Sequence, residues 1–308
     1  MKKKLAGTLL PIAIAFCICT AFNIKTKAAD TSYVPNDNLM ETYDVSTGKV
    51  TTEVIPNILP IDSPGFMGIG PIENEVDERP STLSIIGKDD RVKITSTTSA
   101  PYRFIGAIEA FTNDKILGAG TGFLVSPKLV LTSARYVYDV TKDEYATAAS
   151  FAPGLTSTAN GNVVYPYGYA NVKAIHIPTP YKESTKGDAN YRKYDYALIE
   201  LDRSIGNTTG YFGYRVNAVT YPNSVSVNVT GYDTDNYLHK GNGTGTMQSN
   251  NYLMNYTLDT SARTAGAPVY KSENGQYYAI GLHIGAGNGY NFGRLITDRI
   301  LNAINKYK

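Results

Sequence analysis

The 308-residue chain has three histidines, His176, His239 and His283, and two cysteines, Cys17 and Cys19. Metal, redox and acid–base chemistry draws first on these residue types. The histidines are scattered, no H-E-x-x-H phrase occurs, and no ligand-like spacing links them, so neither a bound metal nor a cofactor is expected. Both cysteines fall in an apolar N-terminal stretch, which leaves the rest of the chain without thiol chemistry or disulfides. The glycine run "GAGTG" at 118–122 leads into "FLV", a strand and not a helix, so it is no phosphate cradle. Two phrases draw attention next, "YDYALIELD" (194–202) and "TSARTAGAPVY" (260–270), which set a carboxylate and hydroxyls among short apolar runs.

The elements around these phrases read as strands. "YRFIGAIEAF", "GTGFLVSPKLVLTSA", "VKAIHIP", "DYALIELD", "SVSVNVTGY", "YLMNYTLD", "APVYKS" and "QYYAIGLHI" are short apolar or alternating runs. They are separated by turn phrases such as "SPK", "NGN", "TPY" and "SENGQ". The one convincing helical pattern is the terminal "TDRILNAINKY", where Ile300, Leu301 and Ile304 share a face and Thr297 or Asp298 could cap it. With 25 tyrosines and no tryptophan the composition is β-rich and half-exposed in character. The fold class is all-β, with many short strands closed by one helix, as in paired barrels or a large sandwich.

Hydrophobic residues make up 42% and charged residues 18%, which supports an ordered core over most of the length. The net charge is +2 and Lys and Arg are scattered, so nucleic acid is not expected as a partner. "MKKK" followed by "LAGTLLPIAIAFCICTAF" and "TKAAD" reads as a signal peptide over 1–29, which predicts secretion and no membrane attachment after its removal. An uncleaved anchor is the alternative. Residues 30–83 are rich in Pro, Asn, Asp, Gly and Ser, show no sustained period, and read as a propeptide or a linker. The strand-rich remainder, 84–308, is the predicted domain.

Three segments in order, "TGFLVSPKLVLTSARYVYD" (121–139), "YDYALIELD" and "ARTAGAPVY" (262–270), resemble the trypsin-like serine peptidases, and within them the bacterial glutamyl endopeptidases. "SIIGKDDR" with "SAPYR", "YPYGYANV", "IGNTTGYFGYR" and "AIGLHIGAGNGYNFGRLIT" extend the resemblance over nearly the whole exported chain. The resemblance implies a trypsin-like double β-barrel with a C-terminal helix, secreted by a bacterium and monomeric. It places a catalytic His at Arg135, the triad carboxylate at Asp195 and the nucleophilic Ser at Ala265. The oxyanion hole falls at Arg263 and Ala265, and the pocket for a glutamate side chain at Thr260 and His283.

Two triad positions and the oxyanion glycine thus depart from the family pattern. A serine hydroxyl becomes a nucleophile only when a neutral imidazole takes its proton and a carboxylate orients that imidazole. A guanidinium has no acceptor and keeps its proton, and alanine has no nucleophile. Thr264 and Ser261 are the neighbouring hydroxyls, with Thr264 expected to point away and Ser261 on the strand side of the loop. Arg135 is expected to pair with Asp195, because a buried carboxylate without a partner is costly. For His283 a satisfied strand-end histidine competes with pocket lining, and for Asp195 a capping carboxylate competes with the triad role. The function expected is a secreted homologue without measurable peptidase activity that binds a peptide or protein in its cleft. The alternatives are an active endopeptidase cutting after Glu and a cell-envelope structural or adhesive β-protein.

Overall fold

Short apolar runs become two closed barrels in the computed structural model, which describes residues 36–58, 62–69, 85–86, 88–113, 115–216, 223–248, 252–287 and 289–308. The signal peptide expected over 1–29, with Cys17 and Cys19, lies outside the described residues, as does Ser84. The first barrel is built from Ile105–Thr112, Lys115–Leu124, Leu129–Thr132, Ala148–Pro153, Ala170–Pro178 and Ala197–Leu201. It closes where the last two of these strands pair. The second barrel uses Ser224–Tyr232, Leu238–Met247, Leu253–Tyr256, Pro268–Glu273, Gln276–Gly287 and Tyr290–Leu295, again closed by its last two strands. Six antiparallel strands in each ring give the double barrel that the sequence predicts.

The strands that carry the chemistry-bearing phrases are set by burial. Leu129, Val130 and Leu131 are fully buried, as are Ala197, Leu198 and Ile199. A continuous apolar run of this kind marks a strand covered on both faces. The two runs pair antiparallel with Ala197 opposite Thr132 and Leu198 opposite Leu131. In the second barrel, Pro268–Glu273 turns into Gln276–Gly287 through Asn274 and Gly275, at φ 52° and 72°. A two-residue Asn-Gly connection with both φ positive fits the twist of a hairpin, and it fixes the register of the strand bearing His283.

The C-terminal helix Asp298–Tyr307 buries Ile300, Leu301 and Ile304 as expected. Thr297 occupies the cap position but makes no side-chain capping bond. Among the described residues three further short α-helices, Thr179–Lys182, Ala189–Tyr194 and Gly206–Thr209, are too brief to show a 3.6-residue period in sequence. Ala189–Tyr194 starts at Asp188, whose Oδ1 accepts from the Tyr191 N–H at 2.5 Å. Leu39–Asp44 and Val50–Val54 form a hairpin inside the stretch that shows no period, and they extend the first barrel's sheet along Ala170–Pro178.

Candidate active site

Arg135 and Asp195 leave the same end of one strand pair. Asp195 precedes Ala197 by two residues, and Arg135 follows Thr132 by three, so the paired register of 197 with 132 brings them together. Arg135 sits in a single 3₁₀ turn, Ala134–Tyr136. Asp195 has φ −72° and ψ 68°, and the Tyr196 N–H bonds the Tyr194 carbonyl at 2.7 Å. That is an inverse γ-turn, a common way to end a loop and begin a strand.

The carboxylate is fully buried and entirely surrounded by donors. Its Oδ1 accepts from Ser133 Oγ at 2.6 Å and from the Arg135 N–H at 3.2 Å. Its Oδ2 accepts from Arg135 Nε at 2.8 Å and from Arg135 Nη2. The ion pair expected from the sequence therefore forms, with the guanidinium side chain 32% exposed and the carboxylate 0%. Burial alone would lower the Arg135 pKa, but the charge and hydrogen bonds of Asp195 outweigh it and hold the value above normal. Nη2 also donates to the Ile284 carbonyl at 2.5 Å, so this one side chain ties the first barrel to the second.

The loop at Ala265 meets the first barrel from the other side. The Thr121 N–H donates to the Ala265 carbonyl at 3.1 Å, and the Gly266 N–H donates to the His283 carbonyl at 2.7 Å. Gly266 has φ +81°, and a Cβ there would lie 2.0 Å from the Thr121 carbonyl oxygen. Only glycine fits this position. Thr121 Oγ1 donates to the Arg263 carbonyl at 2.8 Å and accepts from the Tyr232 N–H at 2.9 Å. Thr132 Oγ1 donates to the Thr121 carbonyl at 2.7 Å.

Arg263 lies in the 3₁₀ turn Ala262–Thr264 and is not among the non-glycine residues with positive φ. Its backbone therefore accepts a Cβ without left-handed strain. Its side chain turns away to Asn236, with Nη1 2.9 Å from Oδ1. The hydroxyls of Ser261 and Thr264 lie 3.1 Å apart, and Thr264 Oγ1 also accepts from the Ser261 N–H at 3.0 Å. Ser261 Oγ also donates to the Tyr232 carbonyl at 3.3 Å, so both hydroxyls are held by the fold.

His283 and Thr260 are both buried. Tyr256 OH lies 2.7 Å from His283 Nδ1. Burial, reinforced by the charge of Arg135, pushes the His283 pKa down to about 3, so the ring is neutral at neutral pH. Thr260 Oγ1 is buried and has no hydrogen-bond partner among the described residues. Beside Arg135 a groove of about 450 Å³ runs between Leu117, Tyr136, Tyr138, Lys186 and Tyr191. His176 and His239 lie in other parts of the fold, bonded to Thr42 and Asp235 respectively. Among the described residues no group of three His, Cys, Asp or Glu side chains has a metal-binding arrangement.

Some of these roles could not be read from sequence. Ser133, two residues before Arg135, is the strongest neutral donor to Asp195, yet a Ser in "LTSA" carries no signal of that bond. Tyr256 is one of many tyrosines in an alternating strand. Thr121 and Thr132, which seat the Ala265 loop, look like ordinary strand threonines.

Two closed six-stranded barrels, with the candidate residues drawn from both, define the trypsin-like serine protease fold. A solved glutamyl endopeptidase in complex with MPD superposes with a TM-score of 0.60 at 28% identity, covering 73% of this chain and 98% of that one. The protease Anisep of Arthrobacter nicotinovorans shares the fold with a TM-score of 0.55 at 18% identity, over 67% of this chain and 95% of that one. In sequence, the glutamyl endopeptidase of Bacillus licheniformis is 30% identical over 269 residues, 80% of this chain and 78% of its own. A Bacillus subtilis (strain 168) protein named extracellular metalloprotease is 31% identical over 319 residues, 98% of this chain and 96% of its own. No family model matches the chain. The chain belongs to the bacterial glutamyl endopeptidase family.

Proposed function

We propose that this chain is an exported family member in which Arg135, Asp195 and Ala265 occupy the triad positions without performing acyl transfer, and that it acts by holding a peptide or protein segment in its cleft. The observation that carries the reading is the Arg135–Asp195 pair. A base at residue 135 would have to accept a proton, and this guanidinium instead donates through Nε and Nη2 to the buried carboxylate. At Ala265 a methyl group stands where attack would begin, and the hydroxyls that flank it in sequence, on Ser261 and Thr264, are tied to each other. In serine proteases stripped of their triad, binding and oxyanion donors alone leave roughly 10³–10⁴-fold acceleration over water. Against the very slow uncatalysed hydrolysis of a peptide, that is too little for turnover.

Binding is supported by what surrounds the pair. The groove beside Arg135 is large enough for side chains of a peptide. Thr260 Oγ1, buried without a hydrogen-bond partner among the described residues, would gain one from a ligand acceptor at the pocket position that the family resemblance gives it together with His283. Because one relative is a glutamyl endopeptidase, a glutamate-containing peptide is the first ligand to try. Export is supported by the N-terminal leader pattern and by the extracellular relative. The reading as an active endopeptidase has the retained Asp195, His283 and glycine-bearing loop behind it.

The test is to incubate the purified protein with a peptide containing one central glutamate, following both binding heat and peptide mass. Saturable one-to-one binding with the peptide intact is expected. Cleavage after the glutamate would favour the active endopeptidase. Neither binding nor cleavage would favour a structural or adhesive role in the cell envelope.

A further inference from the structure

Residues 36–58 and 62–69, which the sequence reads as a propeptide or linker, are packed as part of the domain. In the first barrel the edge of Ala170–Pro178 facing Ala148–Pro153 is paired only at residues 170 and 171. The hairpin strand Leu39–Asp44 takes over that edge, pairing from Met40 opposite Pro178 to Asp44 opposite Ala174. Without the hairpin, a strand whose Ile175 and Ile177 are fully buried would present an open row of backbone N–H and C=O groups.

Side chains reinforce the seat. Met40 and Ile55 are buried in the main core, 1% and 4% exposed. Tyr43 stacks on Tyr145 at 4.6 Å and 3°. Glu41 accepts from Lys182 Nζ and from Tyr145 OH, both at 3.0 Å. Asp37 pairs with Arg299 of the C-terminal helix at 2.9 Å and accepts from Tyr194 OH, the residue before Asp195.

The second half of the segment fits more tightly still. Ser63 and Tyr214 exchange both backbone hydrogen bonds, at 3.2 and 3.0 Å, as do Phe66 and Tyr211, at 3.0 and 2.8 Å. Gly65 lies against Gly213 so closely that a Cβ at residue 65 would be 2.6 Å from the Gly213 nitrogen. Gly68 has φ +69°, and its Cβ would be 2.6 Å from the Thr209 carbonyl carbon. The Met67 carbonyl accepts from Nη2 of Arg103, a fully buried guanidinium of the barrel. A glycine-to-glycine contact and a buried charge served by a backbone carbonyl are features of a core, not of a passing strap.

We propose that the described residues 36–58 and 62–69 are a permanent component of the folded protein. The free edge of Ala170–Pro178 and the Thr209–Tyr214 segment form the surface that receives them, and a cut between residues 69 and 85 leaves the segment bound. The experiment inserts a recognition site for a site-specific protease between residues 73 and 80 of the full chain. The purified protein is cut to completion and run by gel filtration at micromolar concentration and neutral pH. Both pieces are expected in one peak in equal amounts, separating only in denaturant, with the melting temperature close to that of the uncut protein. Met40→Asp together with Gly68→Val in the cut protein should release the short piece or make the remainder aggregate. Aggregation of the remainder on loss of the unmutated segment would also support the proposal. Release of the unmutated segment from a remainder that stays folded, with an unchanged melting temperature, would overturn it.

Discussion

Replacing Arg135 with alanine would leave Asp195 buried at 0% exposure with only the Ser133 hydroxyl and one backbone N–H as donors. Removing one partner of a fully buried ion pair costs roughly 3–5 kcal/mol. Here the guanidinium is 32% exposed, so water from the groove reaches the vacated space, and two donors to Oδ1 remain. Those two factors bring the expected loss to about 2–3 kcal/mol. For a domain of this size that corresponds to a fall in melting temperature of about 4–12 °C. Thermal unfolding at neutral pH measures it, and a cycle with Asp195→Ala isolates the pair. The double variant should lose less than the sum of the single losses, by at least ~1 kcal/mol. An Arg135→Ala protein that melts within a degree of the parent, or single losses that simply add, would refute the structural ion pair.

Other outcomes follow from the same contacts. Gly266→Ala forces a Cβ to 2.0 Å from the Thr121 carbonyl oxygen at φ +81°, and should cost about 3 kcal/mol or more, seen as a large fall in melting temperature or in soluble yield. Acid should weaken the fold through His176, which is buried against Tyr307 and Thr42 near Glu53 and whose pKa burial lowers from 6.5 to about 4. The unfolded chain takes up a proton below about 6.5 that the native state refuses until about 4, so stability is full above the first value and falls toward the second, by about 3 kcal/mol for this one group. Melting temperature against pH should show the fall, and His176→Phe, which keeps a ring against Tyr307, should reduce it by this group's share while His283, buried with a pKa of about 3, keeps its own. Thr260→Val replaces a buried hydroxyl that has no partner with a methyl of the same shape, so it should leave stability equal or raise it by about 1 kcal/mol while weakening peptide binding in titration calorimetry.

The strands were legible because they are continuous or alternating apolar runs whose pattern is local, while their closure into two barrels came from the family resemblance. "VLT" and "YALIEL" are covered on both faces and announce themselves by composition alone. The pair of Arg135 with Asp195 was legible because the family resemblance sets the two positions side by side and a buried carboxylate needs a partner. The N-terminal hairpin was not, because "LMETYD" is short, half-exposed and paired to a strand more than a hundred residues away, while "VTTEV" is mostly exposed and pairs only with "LMETYD". Their register is dictated by the open edge at Ala174–Pro178, which no local pattern encodes. The strand Leu238–Met247 was hidden by its glycines, which read as loop. They admit close neighbours instead: a Cβ at Gly245 would lie 2.0 Å from Met254 Sδ. The conformation at Arg263 was equally out of reach, since the 3₁₀ turn that relieves it depends on Thr121 of the other barrel.

The central claim is that an intact protease scaffold carries a site whose chemistry has been removed at Arg135, Arg263 and Ala265. Its most direct test compares hydrolysis of a glutamate-containing peptide by the native protein and by the Arg135→His, Arg263→Gly, Ala265→Ser variant in one assay. The expected result is no rate above buffer for the native protein and cleavage after glutamate by the variant. Cleavage by the native protein, at a rate that tracks its single purified band, would contradict the account.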